Sequence, residues 1–252
     1  MSEEKIPFDF EAVFQPDDYL YFYELTITDE VTDRQVAFLE NELDLDRPQR
    51  ILDLACGYGR HANRLAAKGH SVVGMDTSET FLNMARDEAA AKKLEITYLR
   101  GDMREIDFDN EFDRVLMLFT AVGYFDDETN IRVFQNVARA LKPGGLFCFD
   151  APNRDYIAKM LRHHHVTDRD GDIMIDRNSF DTFTGRLHNR RTVIRNGRKR
   201  EFEFSIRLYN PTELSSILKK SGLEIVGFYG DWEGRPTAGD LRMITVARKT
   251  IP

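Results

Sequence analysis

Two cysteines in 252 residues are too few for a disulfide framework. Cys56 and Cys148 each sit inside an apolar, strand-like run, and the chain is expected in a reducing cytoplasm. Long apolar runs are missing too. Nothing approaches the ~18 continuous apolar residues a membrane span requires, and the opening MSEEKIPFDF holds no stretch of signal-peptide length, so no membrane partner is expected. An excess of base is likewise absent. With 35 Lys and Arg against 43 Asp and Glu, a formal charge of −8, the surface as a whole is not built to track a phosphate backbone, and no nucleic-acid partner is expected. Repeats, low-complexity segments and heptad seams are lacking, so nothing in the pattern speaks to an oligomeric state. What remains is a chain long enough for one large α/β domain, or for such a domain carrying an insertion.

Hydrophobic rhythm divides the chain. Residues 8 to 45 are aromatic and acidic, with Tyr19, Tyr21 and Tyr23 ahead of a helical pattern through Val31, Val36, Phe38, Leu39 and Leu43. Residues 1–45 are therefore read as a helical lid. From Arg50 the period changes: RILDLA is a short apolar strand, YGRHANRLAAKG a helix ending at Gly69, and HSVVGMD a strand ending on an acid. Ser78 caps a further helix, LEITYLRGD supplies a third strand and FDRVLMLFT a fourth. Asp126 or Asp127 opens a helix that KPGG stops, and LFCFDAP is the fifth strand. Five strands alternating with helices predict a parallel, doubly wound sheet with right-handed crossovers.

After Pro152 short alternating runs take over, and Asn196-Gly197 marks a tight hairpin turn. NPTELSSILKKSG is a helix capped by Asn210 with Pro211 in its first turn and Glu213 placed for a capping box. LEIVGFYGDW and LRMITVARK, joined only by a loop, should pair antiparallel. The expected fold is α/β: a seven-stranded, mostly parallel sheet with an antiparallel last strand, built from 46–151 and 210–252, with residues 152–209 as a β-rich insertion after the fifth strand.

The stretch DLACGYGRHA, residues 53–62, satisfies a loose G-x-G-x-x-A pattern. In a nicotinamide-binding unit Gly57, Gly59, Ala62 and Asp76 would serve the pyrophosphate and ribose. Three features point elsewhere. Asp53 places an acid inside a strand that a dinucleotide site would keep apolar, where it can meet a cationic amine. GDMREIDF offers Asp102 and Met103 to the edge and face of an adenine. The closing antiparallel pair breaks the second mononucleotide half. Together these match an adenosine carrying an amino acid.

Residues 50–150 thus resemble the class I S-adenosylmethionine-dependent methyltransferases, through ILDLACGYG, VVGMD, GDM, FDRVLMLFT and LKPGGLFCFD in the family's order. The resemblance implies S-adenosyl-L-methionine as cofactor and a small-molecule acceptor, as in sugar-amine N-methyltransferases. It implies that Gly57 and Gly59, with Ala55, let the loop approach the methionine part while Asp53 places its ammonium. It further implies that Asp76, beside Thr77, accepts from the ribose hydroxyls, that Asp102 and Met103 take the adenine, and that the backbone at Leu118 and Phe119 completes the ammonium site. Tyr19 and Tyr23, four apart on one helical face, either close over the cofactor or are ordinary packing. Arg60 is weighed as a cofactor-carboxylate ligand but read as an exposed surface arginine.

Because the sulfonium activates its own methyl group, a dedicated base is optional, and neither a catalytic residue nor the acceptor atom is assigned. Tyr124, Asp150, Arg154 and Trp232 are candidate acceptor contacts near the strands' carboxyl ends; Asp150 as a loop tether and Trp232 as a buried ring are the structural alternatives. His163 to His165 are read as a solvated turn, not a metal site, because adjacent histidines on a regular element cannot converge on one ion. The run from Arg186 to Arg200, with seven Lys or Arg and no acid, is read mainly as the solvated side of a hairpin. A nicotinamide-dependent oxidoreductase, or a non-catalytic cofactor-binding or RNA-associated module, are the alternative functions.

Overall fold

The computed structural model describes residues 8–237 and 239–251. Residues 1–7, the start of the segment read as a lid, lie outside the described residues. The described chain begins with α1 (Phe10–Val13), α2 (Pro16–Tyr23) and α3 (Asp29–Glu42). It continues through β1 (Arg50–Leu54), α4 (Arg60–Ala67), β2 (Ser71–Asp76), α5 (Glu79–Ala91), β3 (Ile96–Arg100), β4 (Phe112–Met117), α6 (Asp127–Ala140) and β5 (Leu141–Pro152). A short α7 (Arg154–Met160) leads into β6 (His164–Arg169), β7 (Asp172–Asp181), β8 (Arg186–Arg195) and β9 (Arg198–Arg207). The end is α8 (Pro211–Lys220), β10 (Leu223–Tyr229) and β11 (Arg242–Lys249). Among the described residues no helix is long and apolar enough to cross a membrane.

Local chemistry sets these boundaries. Asp126 is the residue that caps α6, its carboxylate accepting from the Thr129 N–H, and Asn210 with Glu213 forms the expected capping box on α8. The helix before KPGG ends one residue early, Leu141 already opening β5.

Seven strands form one sheet in the order β10-β11-β5-β4-β1-β2-β3, with β11 antiparallel to both neighbours. Side chains alternate across it. Leu52, Val115, Phe147 and Phe149 face a core filled by Phe134 and Val137 of α6 and Leu214 and Leu218 of α8. Ile51, Leu116 and Cys148 face the opposite core with Leu39 of α3, Leu65 of α4 and Leu82 of α5. A strand buried on both faces has no polar side to show, which is why these runs read as continuously apolar. Of the segment read as lid, α3 packs into this second core, whereas α1 and α2 lie elsewhere: Phe22 of α2 joins Met174 and Val193 of the second sheet.

That second sheet runs β6-β7-β8-β9, antiparallel throughout. Asn196 and Gly197 both have positive φ (52° and 70°), as a two-residue hairpin turn requires, and Asp170-Gly171 repeats the device between β6 and β7. The histidine run is not a turn: His164 and His165 lie on edge strand β6, paired to β7, and His163 sits against the Asn178 carbonyl. The Asp170-Gly171 turn forces that pairing. Among the described residues no group of three His, Cys, Asp or Glu stands together as metal ligands would.

The basic run is only partly solvated. Arg190, Arg198 and Lys199 are exposed, but Arg186 and Arg191 are buried and Arg195 half-buried. Their acids come from other segments: Asp127 faces Arg186, Asp176 pairs Arg191, and Asp18 and Asp172 pair Arg195.

Candidate cofactor and acceptor site

β1 pairs with β2 on one side and β4 on the other, so the loops leaving β1 and β4 part at their carboxyl ends, the place where open α/β sheets form a crevice. A cavity of about 610 Å³ lies there. Asp53, Ala55, Gly57, Asp76, Thr77, Asp102, Met103, Leu118, Phe119, Tyr19 and Tyr124 all line it, drawn from four strand ends and α2. Gly59 does not. Its positive φ (78°) starts α4, and a Cβ there would overlap the Tyr98 hydroxyl and the Ala85 methyl, so it secures close helix packing below the loop.

Asp53 is 2% exposed, and its Oδ2 is buried without a hydrogen-bond partner. Burial pushes its carboxyl up to about 7, against the pull of the nearby Arg60 charge and with added repulsion from Asp76. Asp76 is fixed by backbone donors, Gly57 N–H to Oδ2 and Ser78 N–H to Oδ1, each at 2.9 Å. Burial nevertheless raises it above the ordinary carboxylate range. Asp102 differs. Burial pushes it up, but hydrogen bonds from the Arg104 side chain (2.5–3.0 Å) and backbone outweigh that and hold it low. The Arg104 guanidinium also stacks over Phe125 at 4.8 Å.

Arg60 is not an exposed arginine. It is 7% exposed and lines the cavity; Nη1 donates to Thr32 Oγ1 (2.9 Å) and Gln35 Oε1 (2.6 Å), while Nη2 is buried with no partner. The two residues that bury it belong to α3, 28 and 25 positions upstream, so nothing local to YGRHA signals it. His61 shares Gln35 Oε1 at 2.9 Å, and burial holds its imidazole neutral by pushing its pKa far down.

Tyr19 and Tyr23 do share one face of α2, with ring centroids 4.9 Å apart. Only Tyr19 reaches the cavity, packed edge-on to Phe81 and Phe119; Tyr23 turns its hydroxyl to Arg191 Nη2 at 3.1 Å. Burial drives the Tyr19 and Tyr124 phenols far above their ordinary pKa, so both stay protonated.

Three of the candidate acceptor contacts do not line the cavity. Asp150 is buried beneath it, accepting from the Phe119 N–H and from Arg242. Arg154 pairs with Glu213 at 2.8 Å and caps the Thr182 carbonyl. Trp232 packs edge-on against Phe38 of α3. The sequence reading missed Phe10, Phe14, Phe81, Arg104 and Phe125, all on the cavity wall. Phe10 and Phe14, four apart in FDFEAVF, were the available signal.

The loop carrying Tyr124 is pinned by the second sheet: Arg207 N–H donates to the Gly123 carbonyl at 2.8 Å, and Arg186 donates to the Phe125 carbonyl. Gly123 has φ 98°, and a Cβ there would run into the Arg207 carbonyl oxygen. Gly123→Ala should therefore cost about 1–3 kcal/mol of stability in urea unfolding; an unchanged midpoint would show that the loop is not held so closely.

Residues 51–145 match the methyltransferase domain family. The protein named "Putative methyltransferase YqeM" of Bacillus subtilis (strain 168) is 31% identical over 220 residues, covering 83% of this chain and 87% of that protein. The dTDP-4-amino-2,3,4,6-tetradeoxy-D-glucose N,N-dimethyltransferase of Saccharopolyspora spinosa is 29% identical, over 76% of this chain and 78% of its own. Among solved structures, an S-adenosylmethionine-dependent methyltransferase from Clostridium acetobutylicum ATCC 824 superposes with a TM-score of 0.81 at 18% identity, covering 95% of this chain and all of that one, and so speaks to the fold. The nicotinamide alternative finds no support in these matches. Similarity sustained along most of both sequences, on a shared fold, carries the assignment: the chain belongs to the S-adenosylmethionine-dependent methyltransferases.

Proposed function

We propose that the protein moves a methyl group from S-adenosyl-L-methionine to an amine nitrogen of a small molecule. One observation supports the cofactor's placement above the others: Asp53 Oδ2 and Arg60 Nη2 are opposite charges, both buried, both beside one cavity, and neither has a partner. A buried charged group with an open hydrogen-bonding position is costly, so each of these two atoms suits an oppositely charged group on a ligand. An α-amino acid supplies both, its ammonium to Asp53 and its carboxylate to Arg60. Asp76, oriented by two backbone amides, receives the ribose hydroxyls, and Asp102 with Met103 meets the adenine.

The bound cofactor supplies an electrophilic methyl group on its sulfonium. What the chain contributes is alignment and exclusion of water. Tyr19 closes the cavity from α2, and Phe10, Phe14, Tyr124 and Phe125 form an aromatic wall for the acceptor. The Tyr19 and Tyr124 phenols remain protonated at neutral pH and His61 is spent on Gln35, so none of these three serves as a ready base. A nucleophile that arrives with a free lone pair suits such a wall, and an amine does. The Saccharopolyspora spinosa relative, an N,N-dimethyltransferase by name, is consistent with that reading.

The test is incubation with isotopically labelled methyl donor and a metabolite extract, with mass spectrometry of the products. Labelled N-methyl products are expected. Labelled O-methyl products would overturn the amine assignment, and no transfer despite tight S-adenosylhomocysteine binding would favour a non-catalytic binding module.

A further inference from the structure

The segment after β4 holds two consecutive left-handed residues, and neither is glycine: Phe119 at φ 64° and Thr120 at φ 65°. A β-branched residue in that region is an outlier that persists only where its surroundings over-determine it. Here the surroundings are two charges from the sheet. Asp150 Oδ1 accepts the Phe119 N–H at 2.5 Å, Asp150 Oδ2 accepts from Arg242, and Arg242 also donates to Thr120 Oγ1 at 3.1 Å. Asp150 pairs in register with Ile244 and Arg242 with Pro152, so the two lie diagonally on one face of the β5–β11 ladder. Asp150 is 1% exposed and does not line the cavity.

What the clamp holds does line it. The Phe119 ring stands edge-on to Tyr19 and Tyr23, at 6.4 and 6.1 Å, and the Arg60 guanidinium lies 5.3 Å from its centroid. A left-handed Phe119 is thus the meeting point of the closing helix α2 and the arginine assigned above to the cofactor carboxylate.

We propose that Asp150 and Arg242 are positioning residues for methyl transfer: their ion pair locks Phe119 and Thr120 in the left-handed conformation and so seats the Phe119 ring against Tyr19, Tyr23 and Arg60 at the amino-acid end of the cofactor site. This rests on the cofactor placement proposed above. The clamp acts on that end of the cavity alone, because the adenine-side residues Asp102 and Met103 are held by Arg104 and by Asn136, which donates to the Met103 carbonyl.

The experiment compares two ligands by calorimetry: S-adenosylhomocysteine, and 5′-methylthioadenosine, which keeps the adenosine and lacks the amino acid. Asp150→Ala should weaken S-adenosylhomocysteine by about tenfold or more and methylthioadenosine by less than about twofold, the loss expected when a charged hydrogen-bond partner is removed at one end. Adding Thr120→Gly to Asp150→Ala should recover much of the loss, since glycine takes positive φ unaided. A merely structural role would lower both affinities together and gain nothing from glycine, and that result overturns the proposal, as does an unchanged S-adenosylhomocysteine affinity. If Asp150→Ala does not fold, Arg242→Gln carries the same comparison: a selective loss of S-adenosylhomocysteine supports the clamp, and an equal loss of both ligands, or none, overturns it. Wild-type protein that ignores S-adenosylhomocysteine would sink the cofactor placement instead.

Discussion

Asp53→Ala is expected to weaken S-adenosylhomocysteine binding about 100-fold, because truncating one side of a buried, charge-assisted contact costs on the order of 2–5 kcal/mol. The same substitution should make the ligand-free protein more stable at pH 8. Asp53 titrates near 3.8 in an unfolded chain and at about 7 in the folded one. Between those values the native state holds a proton that the unfolded state has released, so stability falls as pH rises, by roughly 1.4 kcal/mol per unit. Alanine removes that penalty. Binding runs the opposite way, since an ammonium prefers the ionised carboxylate: wild-type affinity should climb with pH towards a plateau just above 7 and drop about tenfold per unit below it. Between about pH 5.5 and 6.5 a typical α-ammonium stays protonated, so the slope measured there by calorimetry belongs to Asp53. A flat wild-type profile, or a variant that is both weaker-binding and less stable at pH 8, would contradict this account.

The pairing of gain and loss in Asp53 marks where the sequence was legible. An acid inside RILDLA defied the apolar rule of a buried strand, and the violation lay within a single element, so it could be seen without a structure. The sheet was readable for the same local reason: its central strands are apolar on both faces, and Asp126, Asn210 and Asn196-Gly197 act on neighbours only a few residues away. What stayed hidden depends on partners far off in sequence. Arg60 read as a surface residue because Thr32 and Gln35 meet it only once α3 has packed on α4. Asp150 reads from the sequence as an acceptor contact or a loop tether, and the partners that make it a tether, Phe119 and Arg242, lie 31 and 92 positions away. The short helix α7 and the Asp170-Gly171 turn were local features overlooked, and the turn alone would have placed the histidines in a strand.

The burial of the basic run depends on acids that lie outside it in sequence, and one of these pairs carries a large expected stability effect. Charge counted along β8 and its turn has no acid beside it, but α2 brings one across. Asp18 pairs with Arg195 and Arg200, and Tyr21 is held between the guanidinium groups of Arg169 and Arg195, at 4.3 and 4.1 Å from its ring. At the centre of this docking face, Arg191 forks onto Asp176 at 2.7 and 3.3 Å, reaches the Tyr23 hydroxyl and lies 5.3 Å from the Phe204 ring. Both side chains of that pair are about nine-tenths buried. Asp176→Ala would strand the Arg191 charge, and breaking a buried pair from one side costs about 3–5 kcal/mol. In a chain of this size that is a fall in Tm of roughly 6–20 °C. The double variant Asp176→Ala/Arg191→Met should recover much of it, because a buried ion pair earns little over apolar packing and the cost lies in orphaning its partner. Salt should not reproduce the effect, whereas it should loosen the more exposed Arg200 contact of Asp18. Thermal unfolding of the two singles and the double decides the matter: if the losses simply add, Arg191 and Asp176 are not coupled, and α2 is held to the second sheet by its aromatic rings instead.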